Sequence, residues 1–472
     1  MTGMAGAEGA HGVVHNHTFD ELQPGQRAEL HRTLAMDDIK AFAAVSGDVN
    51  PAHLDAAWAE TTRFHGVIAH GMWAGALVSS LLGTEFPGAG TIYLEQNLRF
   101  HRPVRVGDAL VVSVTVLDKD PATRNVRLDC AVVNQVGEQV VSGQALVKAP
   151  SQKISRPRLA APTLHLFDPE ARLAAWVAAQ RPAQPARCAV VHPCDASSLR
   201  AAVQAAAAGL VQPVLLGPAA RLQALADSLE LTLAGCTLVD QPHSHAAAQA
   251  AVALAARGEV DLLCKGSLST EELMLAVLAE PALATGRRLS HVARFEVPAY
   301  GRPLLVTDAA VNIRPDLAAK ADILRNAIDL AQALGVACPR VAVLSAVETV
   351  TPRIASTLDA AALCKMADRG QIRGAVVDGP LAFDNAISME AAGLKDLHGP
   401  VAGQADVLLA PDLEAGHLLS QQLEYLAGAA SCGVVLGARV PVALALRTGA
   451  ASALLASMAL AGRALAASTS GG

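Results

Sequence analysis

From about residue 171 onward, short apolar runs alternate with Ala-rich segments that favour helices. This rhythm restricts the possible fold more strongly than any other feature of the chain. The runs fall at Cys188–His192, Pro213–Leu216, Leu231–Val239, Val260–Cys264, Leu304–Thr307, Arg340–Ser345, Gly374–Val377, Ala405–Ala410 and Val434–Leu436. Continuous apolar strands separated by helices are typical of a parallel sheet with both faces covered.

Polar clusters follow several of these runs directly. Ligands of open parallel sheets bind at the carboxyl ends of the strands, so these clusters are candidate site residues. They are Lys265-Gly266-Ser267, Asp308, Glu348-Thr349, Asp378-Gly379-Pro380, Pro411-Asp412 and Arg447.

The composition fits a large folded chain and argues against several classes of function. In 472 residues, 52% are hydrophobic and 17% are charged, which allows two or three domains with sizeable cores. The net charge of -6 and the aromatic content of 3% argue against a nucleic-acid surface. Eight cysteines without a Cys-x-x-Cys pair, and a start without a signal peptide, predict reduced thiols in the cytoplasm. No metal site and no membrane span are predicted.

The front of the chain has a different pattern. Gly71 opens a long apolar helix, Met72–Leu82, which is expected to be buried because it is apolar on nearly all faces. Four Val-rich, alternating runs follow and predict strands. They are Gly90–Asn97, Ala109–Lys119, Asn125–Asn134 and Gln139–Val147. One buried helix wrapped by an antiparallel sheet is the hot-dog arrangement.

Asp48 and His53 lie five residues apart in a run rich in Gly, Asn and Pro. Asn50-Pro51 predicts a turn that ends the preceding helix. Such a turn can hold a carboxylate close to an imidazole, which is a suitable pair for moving protons. The spacing alone favours the alternative, in which Asp48 caps a turn and His53 is an ordinary surface or helix-start histidine.

The motif Asp48-Val49-Asn50-Pro51-Ala52-His53 resembles the signature of the MaoC-like, R-specific enoyl-CoA hydratases. Two further segments, His65–Met72 and Leu98–Asp108, also resemble that family, and the three motifs occur in the family's order. The resemblance implies a trans-2-enoyl-CoA substrate that is hydrated to an (R)-3-hydroxyacyl-CoA. It implies that Asp48 is the base on water, that His53 orients this water or supplies the α-proton, and that the backbone N–H of Gly71 stabilises the oxyanion. Asn50 is assigned to the substrate site as a brace of the turn, whereas His65 and His70 are interpreted as packing or surface histidines.

The second half resembles the phosphate acetyl/butyryltransferases. The matching residues are Lys265–Leu268, Thr307–Asn312, Leu344–Thr349, Asp378–Ala386, Ala405–Gly416 and Val434–Ala438. The resemblance implies two α/β lobes of isocitrate-dehydrogenase-like architecture with a cleft between them. The residues expected to bind substrate are Arg447, Lys265, Gly266, Ser267, Asp308, Asn312, Asp378 and Asp384. The three aspartates could equally be helix caps or turn braces.

The segment around Arg447 departs from this family. Leu446 stands where relatives have a serine, no acidic residue occurs after Glu424, and His417 replaces an amide residue. The departure predicts weak acyl transfer. An alternative is a hydratase whose second half only binds CoA esters or dimerises. A scaffold protein that binds acyl-CoA without turnover is a third hypothesis, against which the retained Asp48 and His53 argue.

The predicted organisation is therefore an α+β hot-dog domain followed by a two-lobed α/β phosphotransacylase domain. The expected boundaries are 14–149 for the first domain, 150–170 for a linker and 171–472 for the second domain. CoA thioesters and inorganic phosphate are expected as substrates, without a tightly bound cofactor. A homo-oligomer, dimeric or higher, is expected in the cytoplasm.

Overall fold

The computed structural model describes residues 13–157, 167–446 and 450–470, and the chain divides into two compact units, Met1–Leu166 and Phe167–Gly472. Unit 1 contains β1 (Val13–His15), β2 (Arg27–Thr33), α1 (Met36–Ser46), α2 (Pro51–Leu54), α3 (Ala56–Thr61), α4 (Gly71–Ser80), β3 (Ile92–Phe100), β4 (Ala109–Asp120), β5 (Asn125–Val133), β6 (Gln139–Lys148) and β7 (Ser155–Pro157). A 3₁₀ turn covers Phe19–Glu21, and a π-helical turn, Leu81–Glu85, extends α4.

Unit 1 is an antiparallel sheet packed on α4. The strand order is β2-β4-β5-β6-β3, and every pairing is antiparallel. Alternate residues of the central strands, such as Val112 and Leu128, are fully buried and pack in one core with Trp73 and Val78 of α4. The predicted hot-dog arrangement is confirmed.

Helix α4 is less buried than its composition predicts. Trp73, Ala74 and Val78 face the sheet, but Met72 on the opposite side is 57% exposed. The sheet is a single layer and covers only one side of the helix, so an apolar sequence is not enough to bury the other side. The expectation of a helix buried on nearly all faces is therefore wrong.

The predicted linker begins with ordered structure in unit 1. Ser155–Pro157 pairs antiparallel with Val13–His15. Asn16, 1% exposed, donates to the carbonyl oxygens of Ala89 and Gln152 at 2.9 Å each. These contacts tie residues 150–157 to the start of the chain.

Unit 2 contains the remaining elements. Its helices are α5 (Pro169–Ala178), α6 (Ala196–Ala207), α7 (Ala219–Ser228), α8 (Ser244–Ala256), α9 (Thr270–Leu278), α10 (Leu317–Ala333), α11 (Ala355–Asp368), α12 (Phe383–Ile387), α13 (Met389–Leu394), α14 (Leu413–Tyr425) and α15 (Ala451–Ser470). Its strands are β8 (Ala186–Val191), β9 (Val211–Gly217), β10 (Thr237–Asp240), β11 (Leu262–Lys265), β12 (Ser290–Glu296), β13 (Leu304–Thr307), β14 (Arg340–Leu344), β15 (Val376–Leu381), β16 (Val407–Leu409), β17 (Ala430–Leu436) and β18 (Val442–Ala443).

The strands of unit 2 form one sheet of eleven strands in the order β10-β9-β8-β11-β18-β17-β12-β13-β16-β14-β15. Pairing is parallel from β10 to β18 and from β13 to β15, as the alternating rhythm predicts. Between these parallel parts, β17 and β12 pair antiparallel with both neighbours. The α/β fold class is confirmed, with an antiparallel centre that the sequence analysis did not anticipate.

Helix α15 closes one face of this sheet. Its window Ala451–Ser468 has a mean hydropathy of 1.3, and within the described residues it is the one helix long and apolar enough to cross a membrane. Ala456, Met458 and Leu460 are fully buried and join the main apolar cluster of unit 2. The helix therefore has the packing of a core helix in this fold.

Candidate active site

The Asp48–His53 turn is built by two local devices. Helix α1 ends at Gly47, whose φ of 74° is left-handed and whose N–H donates to the carbonyl of Ala43. Asn50 caps α2, because its side chain accepts from the N–H of Ala52 at 3.0 Å. The Asp48 carboxylate accepts from the N–H of Asn50 at 3.2 Å and is otherwise exposed. The expected bracing role of Asn50 is visible in this geometry.

Two histidines face each other beside this turn. Nδ1 of His53 lies 2.8 Å from the carbonyl oxygen of Ile68, and Nε2 of His70 lies 2.9 Å from the carbonyl oxygen of Asp48. A carbonyl oxygen only accepts, so each of these nitrogens carries the proton. In the neutral rings, the other nitrogen, Nε2 of His53 or Nδ1 of His70, keeps a lone pair. The ring centroids are 3.9 Å apart at 34°.

Gly71 begins α4 next to His70. The first N–H groups of a helix have no intrahelical acceptor, so they are available to a ligand. A Cβ at this position would come within 3.3 Å of the Phe100 ring. A cleft of about 460 Å³ opens here, and its wall includes His53, Arg63, Phe64, His70, Gly71, Phe100, Arg102 and Val141. The three predicted catalytic residues thus lie at or beside one cleft.

Asp48, His53 and His70 also have the composition of a zinc site. Their ligand atoms lie within 4.8 Å of one another. Tetrahedral zinc with bonds of 2.0–2.1 Å needs ligand atoms only about 3.3 Å apart. The cluster would have to contract to hold such an ion.

In unit 2, the Lys265–Ser267 loop follows β11 and faces the start of α6. A Cβ at Gly266 would lie 2.4 Å from the carbonyl oxygen of Val191, so only glycine permits this close approach. The carbonyl of Ser267 is 2.9 Å from Nδ1 of His192. Burial lowers the pKa of Lys265, and Cys264 and Asp195 oppose this shift.

A cleft of about 650 Å³ adjoins this loop. Its wall includes Asp195, Ser197, Lys265, Ser267, Ala445 and Ala450. The loop is therefore brought together with residues on both sides of the Leu446–Gly449 segment. Arg447 itself lies outside the described residues. Leu446 is half-buried and packs against two apolar clusters.

Asp308 and Asn312 form a closed hydrogen-bonded turn after β13. Asp308 is 3% exposed, and Oδ1 accepts from the N–H groups of Ala310 and Val311 at 2.9 and 3.1 Å. Its Oδ2 accepts from the backbone and side-chain nitrogens of Asn312 at 3.2 and 2.6 Å. This is the turn-bracing alternative that the sequence left open for Asp308.

Asp378 and Asp384 lie on neighbouring elements. Asp378 is on β15 and accepts from the N–H of Gly379 at 2.8 Å. Asp384 is in the first turn of α12, 3.7 Å from the ammonium of Lys395. Together with Asp308, they are not in the wall of the cleft beside Lys265.

One residue of the hydratase-like cluster was assigned no role from the sequence. His70 was interpreted as a packing or surface histidine, and it is indeed buried, but it contacts both Asp48 and His53. The available signal was its position directly before the glycine that starts a buried helix.

Comparisons with known proteins assign each unit separately. Residues 19–136 match the family model of the MaoC like domain, and residues 241–462 match that of phosphate acetyl/butaryl transferase. A phosphate acetyltransferase from Rhizobium meliloti is 54% identical over 286 residues, which cover 60% of this chain and 90% of that protein.

Two solved structures extend the comparison. A branched-chain phosphotransacylase from Enterococcus faecalis V583 is 30% identical, with a TM-score of 0.52, and the match covers 59% of this chain and 99% of that one. An unliganded R-hydratase from Pseudomonas aeruginosa is 49% identical, with a TM-score of 0.32, and the match covers 33% of this chain and 100% of that one.

Proposed function

Because the chain belongs to the phosphate acetyl/butaryl transferase family and carries a MaoC-like domain in front of it, we propose that one polypeptide hydrates enoyl-CoA in unit 1 and transfers acyl groups between CoA and phosphate in unit 2. Both reactions act on CoA thioesters. CoA esters and inorganic phosphate are the substrates, and no tightly bound cofactor takes part in either step.

The hydration chemistry follows from the charges and lone pairs at the first cleft. The Asp48 carboxylate takes a proton from water while the oxygen attacks the β-carbon of trans-2-enoyl-CoA. The lone pair on Nε2 of His53 accepts from the same water and orients it. Asp48 and His53 then deliver this proton to the α-carbon. The net change is the addition of one water molecule. The N–H of Gly71 stabilises the negative charge on the thioester oxygen.

The observation that carries this proposal is the convergence of three different groups at one place. An imidazole whose tautomer is fixed by the carbonyl of Ile68 and the start of a helix line the cleft, and the exposed carboxylate of Asp48 lies within 4.8 Å of that imidazole. Each has the polarity that hydration of an enoyl thioester requires. If Asp48 only braced a turn and His53 were an ordinary surface histidine, the two side chains would not need to lie beside the start of a helix.

The substitution Asp48→Asn tests the assignment. We expect crotonyl-CoA hydration to fall by roughly 10²–10⁴-fold, because the amide cannot take a proton. The melting profile and the phosphate-dependent reaction of unit 2 should stay unchanged. Hydration at a near-parental rate would contradict the role of Asp48.

For unit 2, the proposal is a phosphotransacylase site at the cleft beside Lys265. The ammonium of Lys265 can hold a phosphate or a CoA phosphate group, whereas the N–H groups of Ser197 and Ser198 at the start of α6 already donate to the Asp195 carboxylate at 2.9 Å. Arg447 is expected to complete this clamp, as the family resemblance implies. The chemistry should be slow, since Leu446 supplies no hydroxyl.

We further infer a homo-oligomer in the cytoplasm. The apolar residues Met72, Ile92 and Leu94 of α4 and β3 are 45–57% exposed, which is typical of a surface covered by another copy. All eight cysteines are free thiols, as expected in a reducing compartment. The molar mass of the full chain, measured by light scattering, should be at least twice the 48.4 kDa of one copy.

A further inference from the structure

His70 has no part in the hydration chemistry above, yet it is 3% exposed and contacts both residues that do. We propose that His70 is a positioning residue, which fixes the Asp48 loop and the His53 ring relative to the start of α4. The inference rests on the proposed hydratase function of unit 1. It names a residue that acts through Asp48 and His53.

The first contact restrains Asp48. The Nε2–H of His70 donates to the backbone carbonyl of Asp48 at 2.9 Å, across 22 residues of sequence. The Asp48 side chain is exposed, and within the turn its carboxylate accepts from the N–H of Asn50 at a long 3.2 Å. The bond from His70 therefore anchors the exposed Asp48 to the helix that supplies the oxyanion N–H.

The second contact restrains His53. The two imidazole rings are 3.9 Å apart between centroids, and the Phe42 ring lies 5.1 Å from the His70 ring. Because His70 contacts both Phe42 and His53, it limits rotation of the His53 imidazole. The lone pair of His53 Nε2 then keeps a fixed direction.

The unused nitrogen of His70 distinguishes positioning from simple packing. Its Nδ1 is buried and has no hydrogen-bond partner in the part of the chain that the structure describes. An unsatisfied buried acceptor is unfavourable. A phenylalanine would fill the same space without that cost, so packing alone does not account for an imidazole here. The bond donated to Asp48 does.

Two substitutions in the full chain separate the two contacts. His70→Phe keeps an aromatic ring beside His53 but removes the donor, whereas His70→Gln keeps a donor but removes the ring. We expect His70→Phe to lower kcat for crotonyl-CoA hydration by roughly 10²-fold with little change in KM, because misplacement of about 1 Å has such an effect. His70→Gln should recover part of the loss. His65→Asn, at an exposed histidine of the same motif, is the matched control and should hydrate normally.

The double variant His70→Phe with Asp48→Asn tests whether His70 acts through Asp48. If it does, adding His70→Phe to Asp48→Asn lowers kcat by clearly less than the roughly 10²-fold loss expected in the parent, because only the contact with His53 is left to disturb. A full further 10²-fold loss would overturn the inference, as would unchanged kcat in His70→Phe. A loss of kcat that only parallels a lower melting temperature would also overturn it.

A readout without catalysis separates this inference from the proposed function. ¹⁵N NMR of the histidines should show the Nε2–H tautomer for His70 and the Nδ1–H tautomer for His53 in the parent. In His70→Phe, which keeps a ring beside His53, the His53 signal should keep the Nδ1–H tautomer, whereas His70→Gln removes that ring and should broaden the His53 signal. If the parent shows these tautomers but does not hydrate crotonyl-CoA, the proposed function fails and the positioning geometry stands. If His70 shows the Nδ1–H tautomer, the positioning inference is wrong.

Discussion

At the scale of single residues, Gly71 leaves little room for a side chain beside the cleft of unit 1. A Cβ there would already touch the Phe100 ring at 3.3 Å, and the branches of a valine would extend into the cleft. We expect Gly71→Val to lower crotonyl-CoA hydration at least tenfold, by keeping the thioester away from the helix N–H. Gly83→Ala is the matched control, because a Cβ at Gly83 meets no atom within 4 Å. Equal turnover in both variants would remove Gly71 from the site.

Leu446 leads to the opposite kind of prediction, a gain of activity. A leucine cannot donate to the thiol sulfur or to the developing oxyanion, and losing one such donor slows acyl transfer by roughly 10²–10³-fold. We expect little acetyl phosphate from acetyl-CoA and phosphate in the parent. The paired change Leu446→Ser with Gly449→Asp should raise this rate. Parental transfer as fast as hydration would show that other residues perform the step.

The residues that sequence could identify are those defined by local motifs. Asp48, His53 and Gly71 are predicted from short patterns, and the structure places His53 and Gly71 in the wall of one cleft with Asp48 beside His53. His70 was missed because its role depends on a bond to a residue 22 positions away. Asp308 was ambiguous because a capping aspartate and a ligand-binding aspartate have the same sequence context.

At the scale of elements, strand β12 was not predicted at all. Its sequence, Ser290-His291-Val292-Ala293-Arg294-Phe295-Glu296, places polar residues on both faces, which usually indicates exposure. Every one of its residues is buried. Arg294 donates to Glu296 at 2.7 Å and lies 4.4 Å above the Trp176 ring. Because the two buried charges pair with each other, the strand can be buried without an apolar sequence. A search for apolar residues therefore does not detect it.

This pair gives a stability prediction for β12. Arg294→Ala should lower the free energy of unfolding of unit 2 by about 3 kcal/mol, because the buried Glu296 would keep only the weaker contact to Arg172 at 3.3 Å. Urea unfolding followed by circular dichroism measures this loss. Lys365→Ala is a suitable control, since Lys365 is 64% exposed in its pair with Asp368 and should change stability by less than about 1 kcal/mol. Similar losses in both variants would contradict the argument.

At the scale of the whole molecule, each unit has its own core. The apolar cluster of unit 1 contains residues from Phe19 to Ala149, while those of unit 2 begin at Leu173. The composition of the Pro-rich stretch after residue 148 predicted a boundary there. It could not predict that residues 155–157 would pair with β1, since that pairing joins opposite ends of the unit.

Separate cores predict separable activities. Residues 1–166 and 167–472, expressed as two chains, should each fold and give a cooperative melting transition. The first chain should hydrate crotonyl-CoA at the rate of the intact protein. Circular dichroism and the hydration assay measure both expectations. Loss of the fold in either chain would show that its core depends on the other unit.

The order of strands in unit 2 has a consequence for protein synthesis. Strands β17 and β18, Ala430–Leu436 and Val442–Ala443, lie between β11 and β12, which precede them by more than a hundred residues. At about 5–20 residues per second, a ribosome needs roughly 7–30 s to translate the intervening stretch. During that time β11 and β12 are open sheet edges, which can pair with other nascent chains. A stop codon placed before codon 430 would therefore release unit 1 attached to a divided sheet with unpaired edges.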